Sequence, residues 1–306
     1  MTGVQTCALP ISGTGDFDGN GRSDILWVHD NGAASIWDNG QIGGAHVIAP
    51  AGTISNGWHF AGSGDFDANG QSDIAWVNDN GAASIWDNGA IGGAHIIAPA
   101  GTISNGWHFA GTGDFDGNGH SDLAWVNDNG AASIWDNGAI GGAHIIAPAG
   151  TISNGWHFAG TGDFDGNGQS DLLWVNDDGK ASIWDNGQIS GAHVIAPAGT
   201  ISNGWHFAGT GDFDANGQSD ILFVNNDGRA SVWDNGQIGD AHVIAPAGTI
   251  SNGWHFADTG DFDGNGKSDI VWRNDNGAAS IWDNGQIDGA HIIANPGTVP
   301  NDWHIV

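Results

Sequence analysis

The chain has 306 residues, 39% of them hydrophobic and 17 of them tryptophan, and a globule of that length hides roughly 75% of its unfolded surface without disulfides. Thirty-five acidic residues face five basic ones, a formal net charge of −30, which makes nucleic acid and anionic membranes poor partners. No apolar run of about 18 residues is available for membrane insertion, and 54 glycines with eight prolines point to a turn-rich, all-β protein.

The first twelve residues, MTGVQTCALPIS, hold the only cysteine, Cys7, and the only methionine. They share nothing with the remainder of the chain and resemble the in-frame translation of a sequencing adapter. Residues 1–12 are therefore read as a non-native, disordered leader. From Gly13 onward one unit of 49 residues occurs six times without a slip, with GDFD at Asp16, Asp65, Asp114, Asp163, Asp212 and Asp261. Residues 13–306 are thus expected to form one domain.

Within a unit the pattern predicts four short strands. Trp58–Ala61 leads into an aspartate-rich loop, and Ile74–Val77 comes after it. Asn80-Gly81 then suggests a type I′ hairpin with positive φ at both residues. Ala83–Trp86 comes next, and Ala94–Ala98 ends at Pro99, which cannot continue a ladder. A helical reading fails, because glycine or proline interrupts every ten-residue stretch. Four-stranded units repeated at this period predict a β-propeller of six blades. The array begins after the place where a first WHFA strand belongs and ends on Trp303-His304-Ile305-Val306. That C-terminal strand is expected to complete the first blade; a longer natural array is the alternative.

The loop reads D-x-D-x-N-G-x-x-D. Hard oxygens at positions 1, 3, 5 and 9, a carbonyl at position 7 and a glycine at position 6 suit Ca2+, which takes six to eight oxygen ligands. With the position 7 carbonyl fourth in each, the predicted ligand sets are Asp16, Asp18, Asn20, Arg22 and Asp24; Asp65, Asp67, Asn69, Gln71 and Asp73; Asp114, Asp116, Asn118, His120 and Asp122; Asp163, Asp165, Asn167, Gln169 and Asp171; Asp212, Asp214, Asn216, Gln218 and Asp220; and Asp261, Asp263, Asn265, Lys267 and Asp269. Up to six ions are expected, one per repeat. Position 7 varies freely, as it should where only its carbonyl matters. An EF-hand is excluded, because position 12 is Trp27 within a strand rather than a Glu before a helix. The metal-free alternative is an Asx-rich turn, which leaves three carboxylates to repel one another.

GDFDGNGRSDILW, preceded in later copies by HFAGSG or HFAGTG, resembles the FG-GAP repeat, also called the VCBS repeat, and through it the calcium-binding blades of integrin α propellers. The resemblance covers residues 13–306. It implies structural calcium and an extracellular or cell-surface protein, of bacterial type; some fungal members are sugar-binding lectins. After the loop, LWVHDNG replaces a GAP-type segment.

The tryptophan columns at Trp27, Trp37 and Trp58 are expected to fill the space between blades rather than to bind ligands. The histidine columns at His46 and His59 lack zinc spacing and are expected to be strand histidines with hydrogen-bonded partners. No G-x-S-x-G, H-E-x-x-H or phosphate-binding glycine loop is present, so catalysis is not expected. Two readings remain: a multivalent binding module for a glycan or cell-surface partner, and a calcium-stabilised structural or display scaffold. No feature of the sequence sets an oligomeric state.

Overall fold

The computed structural model describes residues 13–306 apart from Asn56, Asn105, Asn154, Asn203 and Asn252; the leader at residues 1–12 lies outside the described residues. Each repeat folds into one antiparallel sheet. In the second blade the strands are Trp58–Gly64, Asp73–Asn78, Ala83–Trp86 and Ala94–Ala98, in that order from the axis outward. The last two keep the bounds expected from the sequence. The innermost strand runs on to Gly64, because a bulge at Ala61, between the pairs Phe60↔Trp76 and Gly62↔Ala75, lets it continue past the glycine.

The hairpin after the second strand differs from the expected type I′ turn. Gly81 has φ +80° but Asn80 is not left-handed, and the Gly81 N–H donates to the Asn78 carbonyl at 2.8 Å while Asn78 and Ala82 stay paired. This is a type I turn followed by a left-handed glycine, the three-residue alternative. Only glycine fits there, since a Cβ on Gly81 would lie 2.4 Å from the Ile103 carbonyl oxygen.

Blades pack as wedges, small residues against large. Ala75, Ala83 and Ala98 of the second blade face Leu123, Trp125 and Trp135 of the third. Trp27 is 1% exposed and Trp37 7%, their rings 4.7 Å apart. A buried indole removes about 150–250 Å² from water, worth roughly 4–6 kcal/mol at about 25 cal/mol/Å². Trp27 and Trp37 are therefore core, as expected, whereas Trp58 is only half-buried.

The ring closes between the sixth and first blades. Trp303–Ile305 pairs with Asp24–His29 in the register Trp27↔Ile305, beside the short native piece Thr14–Gly15. Trp303 and Ile305 also pack into the cluster that joins the sixth blade to the first. A belt of hydroxyls circles the axis: Thr112 Oγ1 donates to the Ser63 carbonyl at 2.7 Å, each later copy repeats this, and Thr14 Oγ1 completes the circle on the Thr259 carbonyl at 2.7 Å.

Candidate metal centre

The aspartate loop joins the first and second strands of each blade. Two left-handed glycines, Gly19 at φ +74° and Gly21 at φ +82°, coil it around the Asp16 side chain. That carboxylate accepts the Asn20 N–H at 3.0 Å and the Gly21 N–H at 2.7 Å. Phe17, 5% exposed, pins the loop to the core.

The fold brings the predicted carboxylates together. Oxygens of Asp16, Asp18 and Asp24 lie within 4.8 Å of one another, and so do those of Asp65, Asp67 and Asp73, of Asp114, Asp116 and Asp122, of Asp163, Asp165 and Asp171, and of Asp212, Asp214 and Asp220, in six clusters altogether. Asp24 and its copies are fully buried. Asp24 accepts the Phe17 N–H on Oδ2 at 2.9 Å and the Asn39 N–H on Oδ1 at 2.8 Å. Burial, with smaller repulsion from Asp18 and Asp38, pushes its carboxyl up to about 6 despite those two hydrogen bonds, and the same holds at Asp73, Asp122, Asp171, Asp220 and Asp269. Among the described residues no Lys or Arg forms an ion pair with the loop carboxylates.

This donor set fits a hard divalent cation. Asp16, Asp18, Asp24, the Asn20 side-chain oxygen and the Arg22 carbonyl are the groups that would hold Ca2+, and the ion would supply the positive charge that three converging carboxylates lack. Each of the three carboxylates already takes two N–H bonds but has lone pairs to spare. The Asn20 amide N–H2 bonds Asp18 Oδ2 at 2.9 Å and Asn39 Oδ1 at 3.2 Å, and its oxygen accepts the Arg22 N–H at 2.9 Å.

Two features of the loop were not visible as functional in the sequence. The residue after Trp37's aspartate, Asn39, is left-handed at φ 52° and closes over the loop from the turn after the third strand, at the same end of the blade. Position 7 also uses its side chain: Gln169 Nε2 donates to the Asp116 carbonyl at 3.1 Å, Gln218 Nε2 to Asp165 at 3.3 Å, and His120 Nδ1 bonds the Phe66 carbonyl at 2.9 Å. Position 8 does the same through its backbone, the Ser72 N–H bonding the Asp16 carbonyl at 2.7 Å. Each loop is thereby tied to the previous one. The aligned differences at position 7 were the only available signal, and they look like neutral drift until neighbouring loops are seen side by side.

The histidine columns are exposed and paired with carboxylates, except that His206 faces the Asn226 side-chain oxygen at 2.9 Å. His46 Nδ1 lies 3.2 Å from Asp38 Oδ1, and His59 Nε2 lies 2.8 Å from Asp79 Oδ1. The His59 column rings one mouth of the axial channel, where a funnel of about 1220 Å³ is lined by Phe60, Phe207 and Phe256 below His59, His206, His255 and His304. Arg273 replaces the valine of the other blades here and lies over the Trp27 ring at 5.3 Å.

The model of the FG-GAP-like repeat matches residues 114–174, 163–223 and 212–272, together just over half the chain. The chain belongs to the FG-GAP-like repeat family, and its fold is that family's all-β propeller. No curated protein matches its sequence. Among solved structures it is similar in fold to Raptor from Chaetomium thermophilum, at 12% identity and a TM-score of 0.52, over 94% of this chain and 24% of that one. A YCF48 bound to D1 peptide aligns at 14% identity over 96% of this chain and 94% of that one, with a TM-score of 0.48. A post-proline cleaving enzyme from Rickettsia typhi aligns at 10% identity over 92% and 53%, with a TM-score of 0.47. At these identities the likeness concerns the fold alone.

Proposed function

We propose that this protein is a calcium-stabilised propeller that works outside the cell or at its surface as a multivalent, non-catalytic binding module, with glycans or a surface partner as its ligands. The observation that carries the calcium part is the convergence of three carboxylates within 4.8 Å in loop after loop, one of them wholly buried. Calcium there is structural: it ties the first strand of each blade to the second. The binding part rests on repetition. Near-identical surfaces presented around one axis gain avidity from geometry rather than from one tight contact, and exposed His–Asp pairs beside half-buried tryptophans recur in the blades.

Two measurements test this. Calcium at about 100 times Kd adds roughly 2.7 kcal/mol per independent site, so the melting temperature must rise between chelator and excess calcium; an unchanged value removes the metal. A glycan array then separates binding from scaffolding: repeatable binding to one sugar class supports the module, and silence across the array favours the calcium-stabilised scaffold.

A further inference from the structure

Position 8 of the aspartate loop is serine in every copy, although it supplies no ligand to its own loop. It faces the loop before it instead. The Ser72 N–H donates to the Asp16 carbonyl, and the same bond runs from Ser121 to Asp65, Ser170 to Asp114, Ser219 to Asp163 and Ser268 to Asp212, all at 2.6–2.7 Å. Ser23 completes the circle on the Asp261 carbonyl at 2.7 Å, across the junction of the sixth and first blades. A return bond joins the Asp16 N–H to Ser72 Oγ at 3.1 Å, with equivalents from Asp163 to Ser219 at 3.1 Å and from Asp261 to Ser23 at 3.0 Å.

The residue before position 1 makes room for this contact. A Cβ on Gly15 would lie 2.7 Å from the Ser72 Cβ, one on Gly113 2.6 Å from that of Ser170, and one on Gly260 2.7 Å from that of Ser23. Gly15 is not left-handed, so the close approach and not the backbone angle calls for glycine. The residues joined in this way are those of the metal centre. Asp16 is the first ligand of its loop, and Ser72 stands next to Asp73, the buried ligand of the following loop. Gln169 and Gln218 at position 7 also hold the carbonyls of Asp116 and Asp165, at 3.1 and 3.3 Å.

We infer that the calcium sites form one coupled ring, filled with positive cooperativity, in which the position 8 serine and the glycine packed on it are the positioning residues; this rests on the calcium reading of the loops. Three converging carboxylates without a cation repel one another and loosen their loop. An ion that draws in Asp16 and Asp18 fixes the Asp16 backbone, and through it Ser72 and Asp73. The next ion then enters a loop already partly ordered and binds more tightly, and the same factor acts in the reverse direction. Because the ring is closed, every site has two such neighbours. Charge opposes the coupling, since each bound ion lessens the negative field at the next site. That field crosses solvent-exposed loops and is screened beyond about 8 Å at about 0.15 M salt, whereas the hydrogen bonds are direct.

The test is a calcium titration of the full chain against a chromophoric chelator, at about 0.15 M salt and below the metal-free melting temperature. Six ions, one per cluster, should bind with a Hill coefficient of about 2 or more. Gly15→Ala drives a methyl group against Ser72, and Ser72→Ala removes the hydroxyl. Both keep every ligand, so the number of ions is unchanged while the Hill coefficient falls, more for Gly15→Ala. A merely structural role would lower the melting temperature and leave the Hill coefficient as it was. Asp18→Ala, which removes a ligand from the first loop, should weaken calcium binding in the second and sixth loops by about fivefold or more. The ¹⁵N amide peaks of Gly70 and Gly266, which donate to Asp65 and Asp261, report those two loops. A Hill coefficient of unity in the unaltered chain, or unaltered affinities at Gly70 and Gly266 in Asp18→Ala, overturns the coupling and leaves the calcium reading standing. No calcium binding at all overturns both.

Discussion

Removing divalent cations should invert the pH dependence of stability, and the buried aspartates set the size of the effect. In the folded chain Asp24 titrates near 6 because burial raises it, against an ordinary value of 3.8. Between those values the native state holds a proton that the unfolded chain has lost, so the stability of metal-free protein rises as pH falls from about 7 towards 4. A raised value of about two pK units corresponds to about 3 kcal/mol per site, or about 5 °C in a chain of this length. Six such sites are comparable to the whole stability of an ordinary domain, about 5–15 kcal/mol. With calcium bound the carboxylates must be ionised, so proton uptake competes with the ion and the stability that calcium adds falls as pH falls. Melting curves by circular dichroism at pH 5 and pH 7, on metal-free and calcium-saturated protein, should therefore cross. Salt present throughout screens the general repulsion of a −30 chain. Asp24→Asn should shrink the metal-free pH effect by about one sixth. A metal-free protein that is more stable at pH 7 than at pH 5 would refute the reasoning.

Three further outcomes are expected. Position 4 of the loop is left-handed, and in two repeats it is alanine rather than glycine, Ala68 at φ 58° and Ala215 at φ 63°; Ala68→Gly and Ala215→Gly should each raise the urea midpoint by about 1 kcal/mol of stability, and a lowered midpoint would disprove strain there. Trp76→Phe should cost no more than about 1 kcal/mol, because it removes an unpartnered N–H and reproduces Phe223, whereas Trp76→Ala should cost about 3–5 kcal/mol in the same denaturation series. Deleting residues 303–306 strips the inner strand from Asp24–His29 and takes Trp303 and Ile305 out of the closing cluster; the loss should be about 4 kcal/mol or more, and an unchanged melting temperature would mean that ring closure contributes nothing.

The sequence by itself determined the repeat, the four strands of each blade, the carboxylates that converge in each loop and the strand that closes the ring. Those are local properties: strand alternation, turn residues and the D-x-D-x-N-G-x-x-D spacing all act within one 49-residue unit, and a strict period makes each unit repeat the answer. Asp16, Asp18 and Asp24 could be grouped from spacing because a glycine-rich loop of nine residues has few ways to run. The tertiary structure alone decided what happens between units. That Gln169 and His120 reach the preceding loop and that Trp125 loses its acceptor depend on how blades meet, and within a blade the folded sheet decided that Asn39 caps Asp24 and that Asp24 is buried enough to titrate near 6. Those contacts join residues roughly 50 apart in the chain or on neighbouring strands of one blade, and they arise only once the sheets have formed and are wedged round an axis, which no local pattern encodes.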